Sequence, residues 1–252
     1  MSNSYDLAGK SALVAGGAKN LGGLVSRELA VAGADVAIHY HSESSREAAE
    51  ETQAAVEAAG RRALLVSGDL SDPAVAERIF KEAVEAFGKV DIAVNTVGKV
   101  LRKPIIETSE SEYDEMFEAN AKSAYFFIRE AGKQIADGGR VITLTTSLLN
   151  AFTDGYSTYA GGKASVEDFT RAAAKEFAGR MISVNSIAPG PMDTPFFYAQ
   201  ETPERVGYHK SQGMGNRLTL VQDIVPIVLF LATDGGWITG QIIFANGGYT
   251  TR

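Results

Sequence analysis
Tyr159 and Lys163 stand four residues apart in Tyr159-Ala160-Gly161-Gly162-Lys163. On a helix, positions i and i+4 share a face. An unperturbed phenol titrates at about 10. A neighbouring ammonium favours the phenolate and draws the group toward a usable acid–base range. Ser147, twelve residues upstream of Tyr159, could hydrogen-bond a carbonyl oxygen. Such a trio could move a proton on and off an oxygen at a carbonyl carbon. The same spacing is common on ordinary helix surfaces, so the pair carries weight only with its surroundings.

A second constellation lies near the start of the chain. Ala15-Gly16-Gly17-Ala18-Lys19-Asn20-Leu21-Gly22-Gly23 joins a short apolar run to a helical stretch over Leu24–Ala32. Glycines there permit a tight turn and bring backbone N–H groups close to a pyrophosphate. The positive end of the following helix favours the same anion. The candidate contacts are Gly16, Lys19, Asn20, Leu21 and Gly22, with Tyr40, His41 and Ser42 at the end of the second apolar run. An NAD site places an acid on the ribose 2′-hydroxyl. Here the chain reads His39-Tyr40-His41-Ser42, and the first carboxylate is Glu43. No acid stands there to repel a 2′-phosphate, Lys19 could supply a cation, and Ser42, Ser44 and Ser45 could donate hydrogen bonds. The expected cofactor is therefore NADP(H) rather than NAD(H). His39 and His41 read as an exposed strand-end pair, mostly uncharged at neutral pH, and His209 as a surface residue.

The elements that must hold these residues follow from periodicity. Ser11–Ala15, Asp35–Tyr40, Ala63–Ser67, Val90–Asn95, Arg140–Leu144, Ile182–Ala188 and Gln241–Ala245 are short, rich in Val, Ile and Leu, and apolar on both faces. Parallel strands covered by helices on both sides have this character. Between them Val75, Ile79, Ala83 and Phe87 recur at helical spacing, and Tyr113, Phe117, Ala121, Ala124 and Ile128 form a longer stripe. The alternation predicts an α/β fold, a doubly wound seven-stranded parallel sheet in a single domain over residues 1–252. The long insert Pro189–Leu218 reads as a substrate lid at about 190–218. Pro226 falls inside the apolar helix that follows, where proline costs about 3 kcal/mol, and should bend it.

Composition excludes other classes. The chain has 252 residues, 26 glycines, no cysteine and a formal net charge of −7. The absence of cysteine removes disulfides, thiolate metal sites and thiol nucleophiles, and suits a reducing compartment. The acidic balance argues against a nucleic-acid partner. The longest apolar run, Ile224–Ala232, is far short of the roughly 20 residues that span a bilayer. The opening residues have neither the basic nor the apolar region of a signal peptide, so a cytoplasmic protein without membrane contact is expected. There is no His-Glu-x-x-His and no calcium-type acidic loop, so no metal is expected.

In combination and order, these motifs resemble the short-chain dehydrogenase/reductase family over about Leu7 to Tyr249. The resemblance rests on Gly16 to Gly22, Asp69-Leu70, Asn95-Thr96-Val97-Gly98, Asn120, Ser147, Tyr159, Lys163, Pro189-Gly190 and the closing Gly240 to Gly248. It implies a Rossmann fold and reversible hydride transfer between NADP(H) and a ketone or secondary alcohol. Tyr159 would be the acid–base group and Ser147 would polarise the carbonyl. Lys163 would bind the nicotinamide ribose and lower the tyrosine pKa, and Asn120 would hold the lysine through a water. Asp69, Leu70, Asn95 and Gly98 would flank the adenosine side. Pro189, Gly190 and Thr194 would cover the nicotinamide, with Ile187 as a further contact. A homotetramer formed through the two long helices is also implied. Asn20 stands where the family usually has a glycine, and Asn-Thr-Val-Gly replaces the usual Asn-Asn-Ala-Gly.

Two rivals remain beside this expectation. Tyr156 lies seven residues before Lys163, a spacing that resembles enoyl-thioester reductases of the same superfamily. The tight glycine turn, Asn-Thr-Val-Gly and the position of Ser147 favour Tyr159 and carbonyl reduction, which leaves Tyr156 as a pocket wall. A non-catalytic NADP-binding redox sensor would have no need of Ser147, Tyr159, Lys163 and Asn120 together. Substrate selection is expected from Leu148, Leu149, Asn150, Phe152 and Tyr156, and from Phe196, Phe197, Tyr198 and Met214 of the lid. Their apolar character suits a medium-sized carbonyl compound.

Overall fold
The computed structural model describes residues 5–151 and 153–251. Strands β1 (Ser11–Ala15), β2 (Asp35–Tyr40), β3 (Ala63–Ser67), β4 (Ile92–Asn95), β5 (Arg140–Leu144), β6 (Ser183–Pro189) and β7 (Ile242–Ala245) form one sheet in the order β3-β2-β1-β4-β5-β6-β7. Every pairing is parallel, as expected for the doubly wound Rossmann architecture. The helices are α1 (Asn20–Val31), α2 (Arg46–Ala58), α3 (Pro73–Phe87), α4 (Glu110–Phe117), α5 (Ser123–Gln134), α6 (Ser157–Glu176), α7 (Pro195–Tyr198), α8 (Pro203–Gln212) and α9 (Val221–Ala232).

Alternate strand residues point to opposite faces, and both faces are buried. Ala12, Val14, Val36, Ile38, Val94 and Ile142 pack with Val25 and Leu29 of α1 and Val228 and Leu229 of α9. Leu13, Ala15, Ala37, Ala93, Val141 and Val184 pack with Ile79 and Phe80 of α3 and Phe127 of α5. Local signals agree with this plan. Asp72 caps α3 by accepting from Ala74 N, Pro73 occupies its first turn, and Gly88 ends it at φ 85°. Ser109 and Glu112 form a capping box on α4.

Two helices carry local irregularities. α9 runs through Pro226. Five large apolar side chains of that helix (Ile224, Val225, Val228, Leu229 and Leu231) are buried. At about 1.5–3 kcal/mol each, their burial outweighs the proline penalty. Between α4 and α5, residues Glu118–Lys122 form a π turn, closed by a hydrogen bond from Ser123 N to Glu118 O. Of the predicted stripe, Ala124 and Ile128 beyond the turn are buried as expected, together with Ser123 and Phe127; before it the buried positions are Met116 and Asn120, while Tyr113 is exposed and Phe117 and Ala121 are half-buried.

The order of strands reverses between β1 and β4, which opens a crevice at their carboxyl ends. The insert after β6 closes over that end as α7 and α8. Its base is tied by Asp193 N to Thr219 O and Thr219 N to Pro191 O, both 2.9 Å. At the opposite edge, Asp35 binds Arg61 and Arg62, and Asp91 binds Lys10 and Lys89. Burial would raise the Asp35 pKa, but hydrogen bonds from Arg62 and Arg61 hold the carboxyl below its ordinary value.

Candidate active site
Tyr159 and Lys163 fall in the first two turns of α6, and both are buried. Lys163 Nζ donates to Val97 O at 3.1 Å and Leu144 O at 3.0 Å, just past β4 and at the end of β5. Burial pushes the lysine down to about 8. Burial likewise pushes the Tyr159 phenol up to about 12, and a hydrogen bond with the Thr146 side chain acts against that rise. Burial, rather than Lys163, is the largest influence on the phenol here. The ammonium is engaged by backbone carbonyls, and loss of water dominates at the tyrosine.

Ser147 follows β5 in a short 3₁₀ turn. Its Oγ donates to Ala188 O and accepts from Asn246 Nδ2, both at 3.1 Å. Of the neighbouring hydroxyls, that of Thr146 is the one that acts against the rise of the phenol. Thr145-Thr146-Ser147 offers three hydroxyls in a row, and spacing does not choose among them. Asn120, in the π turn, donates through Nδ2 to Lys99 O at 2.8 Å and Met116 O at 2.9 Å. Its Oδ1 accepts from Lys99 N at 3.2 Å, so it clamps the segment after β4. Gly98 is held between the two. A Cβ there would stand 2.8 Å from Asn120 Oδ1 and 2.9 Å from Lys163 Nζ.

A long cleft and a smaller cavity meet at Tyr159, which lines both together with Thr145, Pro189, Met192, Thr194 and Phe196. Of the expected cofactor contacts, Gly16, Lys19, Asn20, Leu21, Gly22, Tyr40, His41, Gly98, Lys163, Pro189 and Thr194 line the cleft. Others do not. Ser42 turns to Ser44 at 3.0 Å, and Ser45 lines the cleft instead. Asp69 accepts from Ser71 N within its own turn, Leu70 is buried against α3, and Asn95 accepts from Val97 N. Gly190 borders the cavity rather than the cleft, and Ile187 belongs to the core.

His39 is not an exposed strand-end residue. It is buried, with Nδ1 accepting from Gly16 N at 3.2 Å and Nε2 facing Gly68 O at 2.9 Å. That pairing fits a neutral ring protonated at Nε2, and burial pushes its pKa down to about 4. A histidine at a strand end gave no sign that it pins the glycine turn.

The cavity has a volume of ≈ 90 Å³. Tyr156, Phe196 and Phe197 line it as expected. Leu149 and Asn150 do not, because the 3₁₀ turn presents Leu148 instead, and Asn150 borders a separate surface hollow. Phe152 lies outside the described residues. The far end is polar, and there Glu201, His209 and Tyr249 join the expected Tyr156. Tyr156 OH donates to Glu201 Oε1 at 2.5 Å. Burial and the adjacent carboxylate push that phenol well above its ordinary value. His209, expected at the surface, is buried, with Nδ1 2.9 Å from Tyr249 OH and Nε2 3.4 Å from Glu201 Oε1. Burial lowers its pKa.

A family model described as Enoyl-(Acyl carrier protein) reductase matches residues 16–250. An Arabidopsis thaliana protein named as an NADPH-dependent aldehyde reductase-like protein, chloroplastic, is 36% identical, covering 96% of this chain and 95% of its own. A crystal structure from Burkholderia cenocepacia with bound NADP superposes with a TM-score of 0.96 at 55% identity, covering 100% of this chain and 97% of the other. A blue fluorescent protein from a metagenomic library, in complex with NADPH, has a TM-score of 0.92 at 33% identity, covering 98% and 100%. The chain belongs to the short-chain dehydrogenase/reductase family.

In this short-chain dehydrogenase/reductase, the unusual Asn20 adopts φ 50°, the left-handed region that asparagine tolerates better than most residues. It therefore preserves the turn that glycine would otherwise make. Among the described residues no helix is long and apolar enough to cross a membrane.

Proposed function
We propose that this oxidoreductase is an NADP(H)-dependent carbonyl reductase in which Tyr159 is the proton donor. One observation carries the reading: Tyr159 stands where the cleft meets the cavity, with Lys163 behind it on the same helix face. The cleft suits a dinucleotide. A Cβ on Gly16 would approach Thr96 Oγ1 to 2.7 Å, and one on Gly22 would approach Gly16 O to 2.1 Å, so only glycines allow this turn. At the junction, the buried Thr194 Oγ1 has no hydrogen-bond partner among the described residues, as suits a contact with a bound amide. Lys19, His41 and Ser45 line the ribose end without a carboxylate among them, which supports a 2′-phosphate.

Bound there, NADPH supplies the hydride that reduces the carbonyl carbon. Tyr159, raised to about 12, keeps its proton at neutral pH and gives it to the oxygen on which charge develops. Thr146 and Ser147 line the cavity with Tyr159, and either hydroxyl can donate to the carbonyl oxygen, Ser147 once it turns from Ala188 O. Lys163 adds positive charge beneath the site.

The enoyl-reductase alternative would need Tyr156 at the reacting centre. Tyr156 borders only the cavity, and its hydroxyl is committed to Glu201, which supports Tyr159. The test follows NADPH oxidation across aldehydes, ketones and enoyl thioesters, with Tyr159→Phe and Tyr156→Phe variants. Carbonyl reduction lost only with Tyr159→Phe is expected. Turnover confined to enoyl substrates and lost only with Tyr156→Phe overturns the reading, as does a preference for NADH for the cofactor.

A further inference from the structure
The polar end of the cavity is built around one buried carboxylate. The Glu201 side chain is only 1% exposed. Its Oε1 is crowded, accepting from Tyr156 OH at 2.5 Å, with His209 Nε2 at 3.4 Å and Arg102 Nε at 3.9 Å. Its Oε2 has no hydrogen-bond partner among the described residues. Buried polar atoms in folded proteins nearly always have partners, and an orphan calls for an external donor. Glu201 lines the cavity whose other end is Tyr159. One tyrosine separates the two sites, since Tyr156 touches Glu201 and its ring centroid lies 6.3 Å from that of Tyr159.

The charge around Glu201 selects the type of donor. Arg102 already faces the carboxylate and stacks over the Tyr156 ring at 5.7 Å, while Asp154 draws both Arg102 and Arg205 from outside. Arg102 Nε, itself without a hydrogen-bond partner among the described residues, opposes the charge of the carboxylate from 3.9 Å on the Oε1 side, so what Oε2 lacks is a donor and not a further cation. Resting on the reading of the site as a carbonyl reductase, we propose that Glu201 selects carbonyl substrates bearing a hydroxyl group, whose hydrogen bond Oε2 accepts. Tyr156 and His209 are positioning residues that hold Oε1 and so leave Oε2 for the substrate. The substrate class is a small hydroxy-ketone or hydroxy-aldehyde, in keeping with a cavity of ≈ 90 Å³. Reduction yields a diol.

The test compares kcat/KM for cyclohexanone with that for its hydroxylated analogues, in the wild type, Glu201→Gln and Glu201→Leu. A second arm titrates cyclohexanol and the cyclohexanediols into the NADP⁺-loaded protein by calorimetry. Thermal melting and NADP⁺ affinity check that each variant is folded, and Glu201→Gln keeps the shape if Glu201→Leu does not fold. The wild type should favour at least one hydroxylated ketone by about tenfold or more, as expected for a hydrogen bond to a charged group. The ratio should fall toward one in the folded variants, and the diol preference should fall with it. A wild-type ratio near one, or a preference that survives in the variants, overturns the inference and assigns Oε2 to solvent. If no carbonyl is reduced, the reductase reading fails on its own, and the diol arm still decides whether Glu201 recognises a hydroxyl.

Discussion
The glycine turn of the cleft beside β1 is shaped by close main-chain approach, whereas the cavity beyond Tyr159 is walled by side chains drawn from distant segments. Gly16, Gly22 and Gly98 shape the cleft by what they lack, and His39 braces its turn through two backbone contacts. Leu148, Tyr156, Phe197, Glu201, His209 and Tyr249 shape the cavity by what they carry. A main-chain wall recognises features shared by all copies of a cofactor. A side-chain wall can be altered one residue at a time, so substrate choice can change while the cleft stays the same.

Replacing the one residue central to both regions should have the largest effect. Tyr159→Phe is expected to lower kcat by about 10²–10⁴-fold while leaving NADPH affinity nearly intact, measured by single-turnover kinetics and fluorescence titration. A matching loss of NADPH affinity would mean that the two regions are not separable at this residue.

Acid should strike the cleft first. The folded pKa of His39, about 4, lies below its ordinary value of 6.5. Below about pH 6.5 the unfolded chain therefore binds a proton that the folded chain does not. Stability from this group is full above that range and is lost as pH falls toward about 4, by about 3 kcal/mol in all. The buried His209 shifts in the same direction, so the contribution of His39 is read as the part of the denaturation slope that His39→Gln removes.

In the cavity wall, Thr146→Val and Ser147→Ala should separate two roles. Each is expected to lower kcat by about 10-fold to 100-fold, in the range of lost hydrogen-bond donors. Only Thr146→Val should also move the alkaline limb of the pH–rate profile, because its hydroxyl acts against the rise of the phenol. An unmoved limb would return Ser147 to sole charge of the carbonyl. The smallest effect belongs to the cleft rim. Lys19→Ala should weaken NADPH by about tenfold, the value of one charge-assisted contact, and leave NADH unchanged.

The same contrast explains what could be read from the residues alone. Strand runs such as Asp35–Tyr40 and Arg140–Leu144 coincide with β2 and β5, because burial on both faces leaves a continuous apolar signature. The glycine turn was legible because its chemistry is local, packed into a few consecutive positions. Thr146 was hidden among neighbouring hydroxyls. Glu201, His209 and Tyr249 lie far from Tyr156 in sequence, in or beyond an insert without periodicity, so only folding reveals their meeting. His39 was read from its position at a strand end, yet the approach of Gly16 and Gly68 determines its environment.

The π turn at Glu118–Lys122 makes the length of this helix a fixed count. Each residue advances an α-helix by about 100°. A π turn holds one residue more than an α turn, so its five residues sweep about the angle that four would sweep in ordinary winding. Deleting one residue would leave Phe127 and Ile128 facing the core and would remove the bulge that carries Asn120 to Lys99. The extra residue belongs to the site and not to its support, so a one-residue shortening should spare the fold and cost the clamp.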